Sequence, residues 1–171
     1  MTDDDQFDPA EAAGGAAGTT GRHVWPAPPS QKARQDVKRA VDRLLDALAP
    51  ERVMSRAPRL PVPVERHRTP RGCVLQAAGA AVSVTWFPDA ATELAFGALQ
   101  VTAWQGVVSR PGSAHRELAG ATVTSETTLV PVGGGPDGWT WRAAEGTAYD
   151  TDALVAHCAA LLEAQVTAAG R

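Results

Sequence analysis

Two stretches of the chain place apolar residues on one side of a helix. Spacings of four, three, one and three join the first set: Val37, Val41, Leu44, Leu45 and Leu48. Spacings of one, three, three, one and four join the second: Leu154, Val155, Cys158, Leu161, Leu162 and Val166. Both patterns fit a period of 3.6 residues. They predict amphipathic helices over residues 30–49, with Ser30 as N-cap, and over residues 151–167, with Asp150 or Thr151 as N-cap.

Between these helices, over residues 72–143, the apolar period changes to two, which is typical of half-buried strands. The pattern predicts five strands, at residues 73–78, 81–87, 94–108, 121–132 and 139–142. Gly79 and the run GGGPDG at 133–138 favour hairpin turns. Residues 94–108 form the longest apolar-rich run without proline, so we expect them to be the central strand.

The remaining segments flank the first helix. Residues 1–29 are rich in Asp, Gly, Ala and Pro, a composition that buries too little surface to order itself, so we expect a disordered acidic tail. Pro50 is expected to end the first helix. Residues 50–71 are rich in Pro and Arg, and we interpret them as an extended connector in which the prolines exclude a helix or a central strand.

These elements predict an α+β fold. We expect one domain over residues 30–168, in which the N-terminal and C-terminal helices pack on a mostly antiparallel sheet of about five strands. The arrangement has two layers, as is usual when helices cover one face of such a sheet. The sequence makes no prediction of oligomeric state.

Charge is distributed unevenly along the chain. The formal net charge of −3 divides into −4 for residues 1–29, +6 for 30–71 and −5 for 72–171. The acidic strand-forming region argues against a nucleic-acid binder. No apolar run reaches the length of a membrane span, and the acidic start MTDDD is unlike a signal peptide. With abundant Arg, Ala and Gly, these features favour a soluble cytoplasmic protein from a GC-rich bacterial genome.

No catalytic, metal or cofactor motif stands out. The four histidines have no neighbours at metal-ligand spacing. The glycine run at 133–138 lacks the lysine of a phosphate-binding loop. Cys73 and Cys158 are isolated and are most simply small buried residues. We therefore expect no metal and no cofactor, and favour a non-catalytic protein over an enzyme.

The first functional hypothesis is a protein-interaction module that uses the polar face of the sheet. If both helices cover one face, the other carries Trp104, Gln100, Thr102 and Arg142 among threonines. A large aromatic residue on such a platform is typical of a binding surface, although an antiparallel sheet also tolerates a plain solvated face. The Arg- and Pro-rich connector is a second surface for a protein partner.

The alternative hypothesis is a small-molecule-binding protein or enzyme. Its pocket would lie between sheet and helices, near Trp86, Trp139 and Trp141. Alternating positions assign these three residues to the core face of the sheet, where simple structural anchoring is the competing interpretation.

Overall fold

The computed structural model describes residues 29–88, 94–108, 120–135 and 138–170. Three helices and seven strands occur in these ranges. The helices are α1 (Gln31–Ala47), α2 (Pro50–Arg56) and α3 (Thr151–Ala169). The strands are β1 (Glu65–Thr69), β2 (Gly72–Ala77), β3 (Ala80–Phe87), β4 (Ala98–Gln105), β5 (Thr122–Gly135), β6 (Gly138–Ala143) and β7 (Ala148–Tyr149). The predicted disordered tail lies outside the described residues, apart from Pro29.

All seven strands form one antiparallel sheet in the order β1 to β7. The predicted α+β class with an antiparallel sheet is confirmed, but the expected number of strands was too low. Both unpredicted strands lie at the edges: β1 comes from the Arg-rich connector, and β7 has only two residues. The predicted central strand is β4, the fourth of the seven.

The connector is more structured than expected, because it contains α2 as well as β1. Pro50 does not merely follow the first helix but begins the next one. A proline at the first helical position loses no hydrogen bond there, since that N–H has no partner within a helix. The other prolines of this segment lie outside α2, so they do not interrupt it.

Both long helices begin at the caps that the sequence indicates. The Ser30 hydroxyl accepts a hydrogen bond from the Ala33 N–H at 3.2 Å, and the Asp150 carboxylate accepts one from the Ala153 N–H at 2.7 Å. Each acceptor satisfies a donor that has no partner within the helix. Helix α3 contacts β2, β3 and β4, and α1 contacts β5 and β6.

The hydrophobic core joins the apolar stripes of α1 and α3 to alternate residues of the strands. In β3 and β4 these strand residues are Val82, Val84, Leu99 and Val101, all buried. Residues at the alternating positions point to the opposite face of the sheet. A hairpin turn at Ala78 and Gly79, both with positive φ, sets the register between β2 and β3.

Candidate functional site

On strands β3 and β4, the sheet face expected to be polar is largely shielded from solvent. Thr102 is only 4% exposed, and Ser83, its partner on β3, is also buried. Trp104 is half-buried, and its indole Nε1–H donates a hydrogen bond to the Ser83 hydroxyl at 2.9 Å. The indole therefore packs on its own sheet, and its polar group is already satisfied.

Arg142 is exposed but lies far from Trp104. Its partner on β5 is Val130. Val130 follows Leu129, which pairs with Leu99, so it lies level with Ala98 of β4. Trp104 is six residues further along β4, a separation of ~20 Å along the strand. Gln100 is half-buried between these two ends of the sheet. The four residues predicted for this face do not form one cluster.

A β-bulge changes the expected faces of β5. Ala103 pairs with Ser125, but the next residue, Trp104, pairs with Val123, so one residue of β5 is extra. Val123 consequently lies on the same face as Trp104 and is 46% exposed. Strict alternation from the buried Leu129 would place Val123 on the buried face, and the bulge moves it to the other one.

The second predicted set, the three tryptophans, is divided between different environments. Trp141 is 1% exposed and meets the half-buried Trp86 edge to face, with ring centroids 6.1 Å apart. Trp139 meets Phe96 edge to face at 5.2 Å. Trp86 and Phe96 line one cavity and Trp139 lines another, while Trp141 contacts Trp86 from inside the core.

A cavity of about 360 Å³ lies between α1 and one end of the sheet; we call it the helix–sheet cavity. Helix α1 contributes five side chains along a single face. These are Arg34, Lys38, Val41, Asp42 and Leu45. Their spacings of four, three, one and three keep them on that face.

The sheet contributes the opposite wall from three turns and strand ends. These residues are Pro70, Arg71, Trp86, Pro88 and Phe96. Arg71 is held beside Trp86 because its carbonyl oxygen accepts a hydrogen bond of 2.7 Å from the main-chain N–H of Trp86. Gly72 permits this approach: a Cβ atom there would lie 1.9 Å from the Val84 carbonyl oxygen.

The charged residues of the helix–sheet cavity are mostly basic. Three of the lining residues, Arg34, Lys38 and Arg71, are basic, and one, Asp42, is acidic. Within the described residues, the side chains of Lys38 and Arg71 have no ion-pair partner. The cavity thus has an aromatic wall and two cations that are not neutralised by direct pairing.

Several arginines of the connector are bound to the rest of the domain instead. Arg52 pairs with Asp152 of α3 at 2.6 Å, and Arg68 contacts Asp46 of α1 at 3.5 Å. The Arg66 guanidinium donates to the Leu45 carbonyl oxygen at 3.3 Å. These contacts give Arg52, Arg66 and Arg68 a structural role.

The thiols of Cys73 and Cys158 are buried and weakly nucleophilic. Burial raises the pKa of Cys73 to about 11, although Arg68 and Arg66 oppose this shift. Burial, and then the neighbouring Cys73, raises the pKa of Cys158 to about 12. Burial also lowers the pKa of His157, against the effect of Glu145. A thiol that holds its proton is a poor nucleophile.

No group of three or more His, Cys, Asp or Glu side chains suited to a metal ion occurs in the described ranges. No helix among the same residues is long and apolar enough to cross a membrane. Comparisons with protein-family models, curated proteins and solved structures gave no match.

Sequence reasoning missed Phe96 and Lys38 as members of a site, and it considered Arg71 only as part of the connector surface. A weak signal existed for the helix, where Arg34, Lys38 and Asp42 recur every four residues beside the apolar stripe. No sequence signal brings the turn at Arg71 onto α1, because that contact depends on how helix and sheet pack.

Proposed function

We propose that this protein binds a small molecule in the helix–sheet cavity without catalysing its conversion. The observation that carries this proposal is the cavity itself, with Trp86 and Phe96 on one wall and α1 on the other. Its volume of about 360 Å³ lies near the lower end of the range for ligand sites, roughly 300–1,000 Å³. It suits one compact ring system or a short chain.

The aromatic wall supports binding because its rings are held in place before a ligand arrives. Trp141 and Trp139 contact Trp86 and Phe96 edge to face, so little side-chain freedom remains to be lost on binding. A preformed apolar wall reduces the entropic cost of complex formation. The weak nucleophilicity of the Cys73 and Cys158 thiols supports a binding role over thiol catalysis.

Two further features belong to the same proposal. Helices α1 and α3 form one layer over the sheet, supported by their shared buried cluster with the strands. The protein works in the cytoplasm, supported by its two free cysteines, which persist most readily in a reducing compartment.

Fluorescence titration with N-phenyl-1-naphthylamine, a neutral apolar probe, tests the proposed function. Asp42→Trp places a large side chain at the cavity wall on an exposed helix position, and should weaken binding at least about ten-fold by steric exclusion. Asp46→Trp is the matched control, since Asp46 is exposed one turn later and does not line the cavity. Equal binding by both variants, or no saturable binding by the unmodified protein, would contradict the proposal.

A protein-interaction module is the second candidate function, and one observation favours it. Residues Thr122–Thr128 pair with β4 on one side, whereas β6 pairs only from Leu129 onward. Within the described residues, this segment is a free edge of β5, and six of its seven residues are exposed. Free edges accept extended segments of partner proteins by main-chain hydrogen bonding.

Site-specific photocrosslinking in cells distinguishes this second function. A benzoylphenylalanine at Thr124, on the free edge, should give a discrete adduct. The same residue at Met54, which is exposed on α2, should not. Equal labelling at the two positions would argue against a partner at the edge.

A further inference from the structure

The charges of the helix–sheet cavity indicate what kind of molecule it accepts. Four charged residues line it, three of them basic, while the other six lining residues are apolar. A site with this division suits a ligand that has an apolar body and one charged end. The excess of cations specifies the sign of that end, because a cleft lined by one sign of charge concentrates the opposite sign.

We propose that the ligand is an organic anion whose acid group lies between Lys38 and Arg71 and whose flat apolar body lies against Trp86 and Phe96. This proposal rests on the proposed function, because it names the ligand class of the same cavity. Lys38 belongs to α1 and Arg71 to the turn between β1 and β2, so an acid group between them would join helix and sheet.

Three arrangements favour Lys38 and Arg71 as the anion-binding pair. Neither side chain has an ion-pair partner within the described residues. The Arg71 main chain is fixed beside Trp86 by the hydrogen bond of 2.7 Å, so guanidinium and indole start from adjacent positions. The Arg71 fork fits both carboxylate and phosphate oxygens.

Asp42 opposes an anion in this cavity, and it provides a test of the sign of the charge. It lies one turn after Lys38 on α1 and lines the same cavity. Removing its charge should strengthen binding of an acid and leave binding of a neutral molecule unchanged. Removing Lys38 or Arg71 should have the opposite effect.

Competition against the neutral naphthylamine probe measures these effects with three matched compounds: 1-naphthoic acid, 1-naphthyl phosphate and the neutral 1-naphthalenemethanol. In the unmodified protein we expect at least one acid to displace the probe at a lower concentration than the alcohol. Which acid does so distinguishes a carboxylate ligand from a phosphate ligand. Lys38→Gln and Arg71→Gln should each weaken the acid about three-fold, the scale of an exposed ion pair.

Asp42→Asn should strengthen the acid about two-fold, again without affecting the alcohol. Arg39→Gln is the control, because Arg39 follows Lys38 on α1 but does not line the cavity. Equal displacement by all three compounds would overturn the anion proposal, as would a preference for acids that survives in the Lys38→Gln/Arg71→Gln protein. Failure of the neutral probe itself to bind would overturn the proposed function, and the anion proposal with it.

Discussion

The main-chain N–H of Trp86 donates a hydrogen bond to the Arg71 carbonyl oxygen at 2.7 Å, just beyond the paired ends of β2 and β3. This bond extends the β2–β3 ladder by one residue. It places a cationic side chain beside an aromatic one in the lining of the helix–sheet cavity. The proposed site therefore depends on strand pairing as well as on its own side chains.

Gly72 makes that pairing possible, and Gly72→Ala tests its importance. The added Cβ would lie 1.9 Å from the Val84 carbonyl oxygen, so the two strands must separate. We expect a loss of about 3 kcal/mol in the free energy of unfolding, measured by urea denaturation, and weaker probe binding. Gly79→Ala is the control: it meets no atom within 4 Å, and its positive φ of 73° costs only about 1 kcal/mol. Equal losses for the two variants would contradict this account.

Substitutions of Trp86 and Trp141 should distinguish effects on ligand binding from effects on stability. Trp141 is fully enclosed, so Trp141→Ala leaves a cavity and should cost about 4 kcal/mol. Trp86 is half-buried and lines the helix–sheet cavity, so Trp86→Ala should cost about 2 kcal/mol and lower probe affinity at least about ten-fold. Urea denaturation and probe titration measure the two effects. A Trp86→Ala protein that binds the probe normally would remove Trp86 from the site.

The two buried thiols predict a loss of stability at alkaline pH. Their pKa values rise from 9.0 to about 11 for Cys73 and to about 12 for Cys158 on folding. A thiol whose pKa is raised by folding stabilises the fold fully at pH values below its pKa in the unfolded chain. This contribution is lost as the pH rises toward its pKa in the folded protein. The free energy of unfolding should thus fall between pH 9 and 11. Cys158→Ala should reduce that slope, and an identical slope in the variant would contradict the prediction.

Trp104 and Ser83 should be energetically coupled. Their hydrogen bond of 2.9 Å lies in a half-buried environment, where such a bond contributes about 1 kcal/mol. A double-mutant cycle with Trp104→Phe and Ser83→Ala, measured by urea denaturation, should give a coupling energy of that size. Strict additivity would show that the indole does not depend on this acceptor.

The sequence predicts the middle of the sheet better than its edges. The β2–β3 hairpin and the central β4 follow from alternation and one glycine, because side chains on both sides of these strands are constrained by packing. Strand β1 carries three charged residues and a histidine, and β7 has two residues. Neither shows the apolar alternation on which strand prediction depends.

The site is harder to predict than the fold, because it depends on contacts between distant segments. The bulge at Ala103–Trp104 reverses the face of Val123, and no residue pattern signals it. The cavity joins α1 to the turn at Arg71 and to Phe96 before β4. Of the residues predicted for a pocket, only Trp86 lines this cavity.

The most direct test of small-molecule binding is a ¹H–¹⁵N NMR titration of the full chain with 1-naphthoic acid. The five tryptophans provide indole N–H reporters, among which Trp104 is an internal control on the opposite face of the sheet. The account predicts saturable shifts of the Trp86 indole and the Arg71 amide, with the Trp104 indole unchanged. Shifts at Trp104 without any at Trp86, or no shift at all, would contradict it.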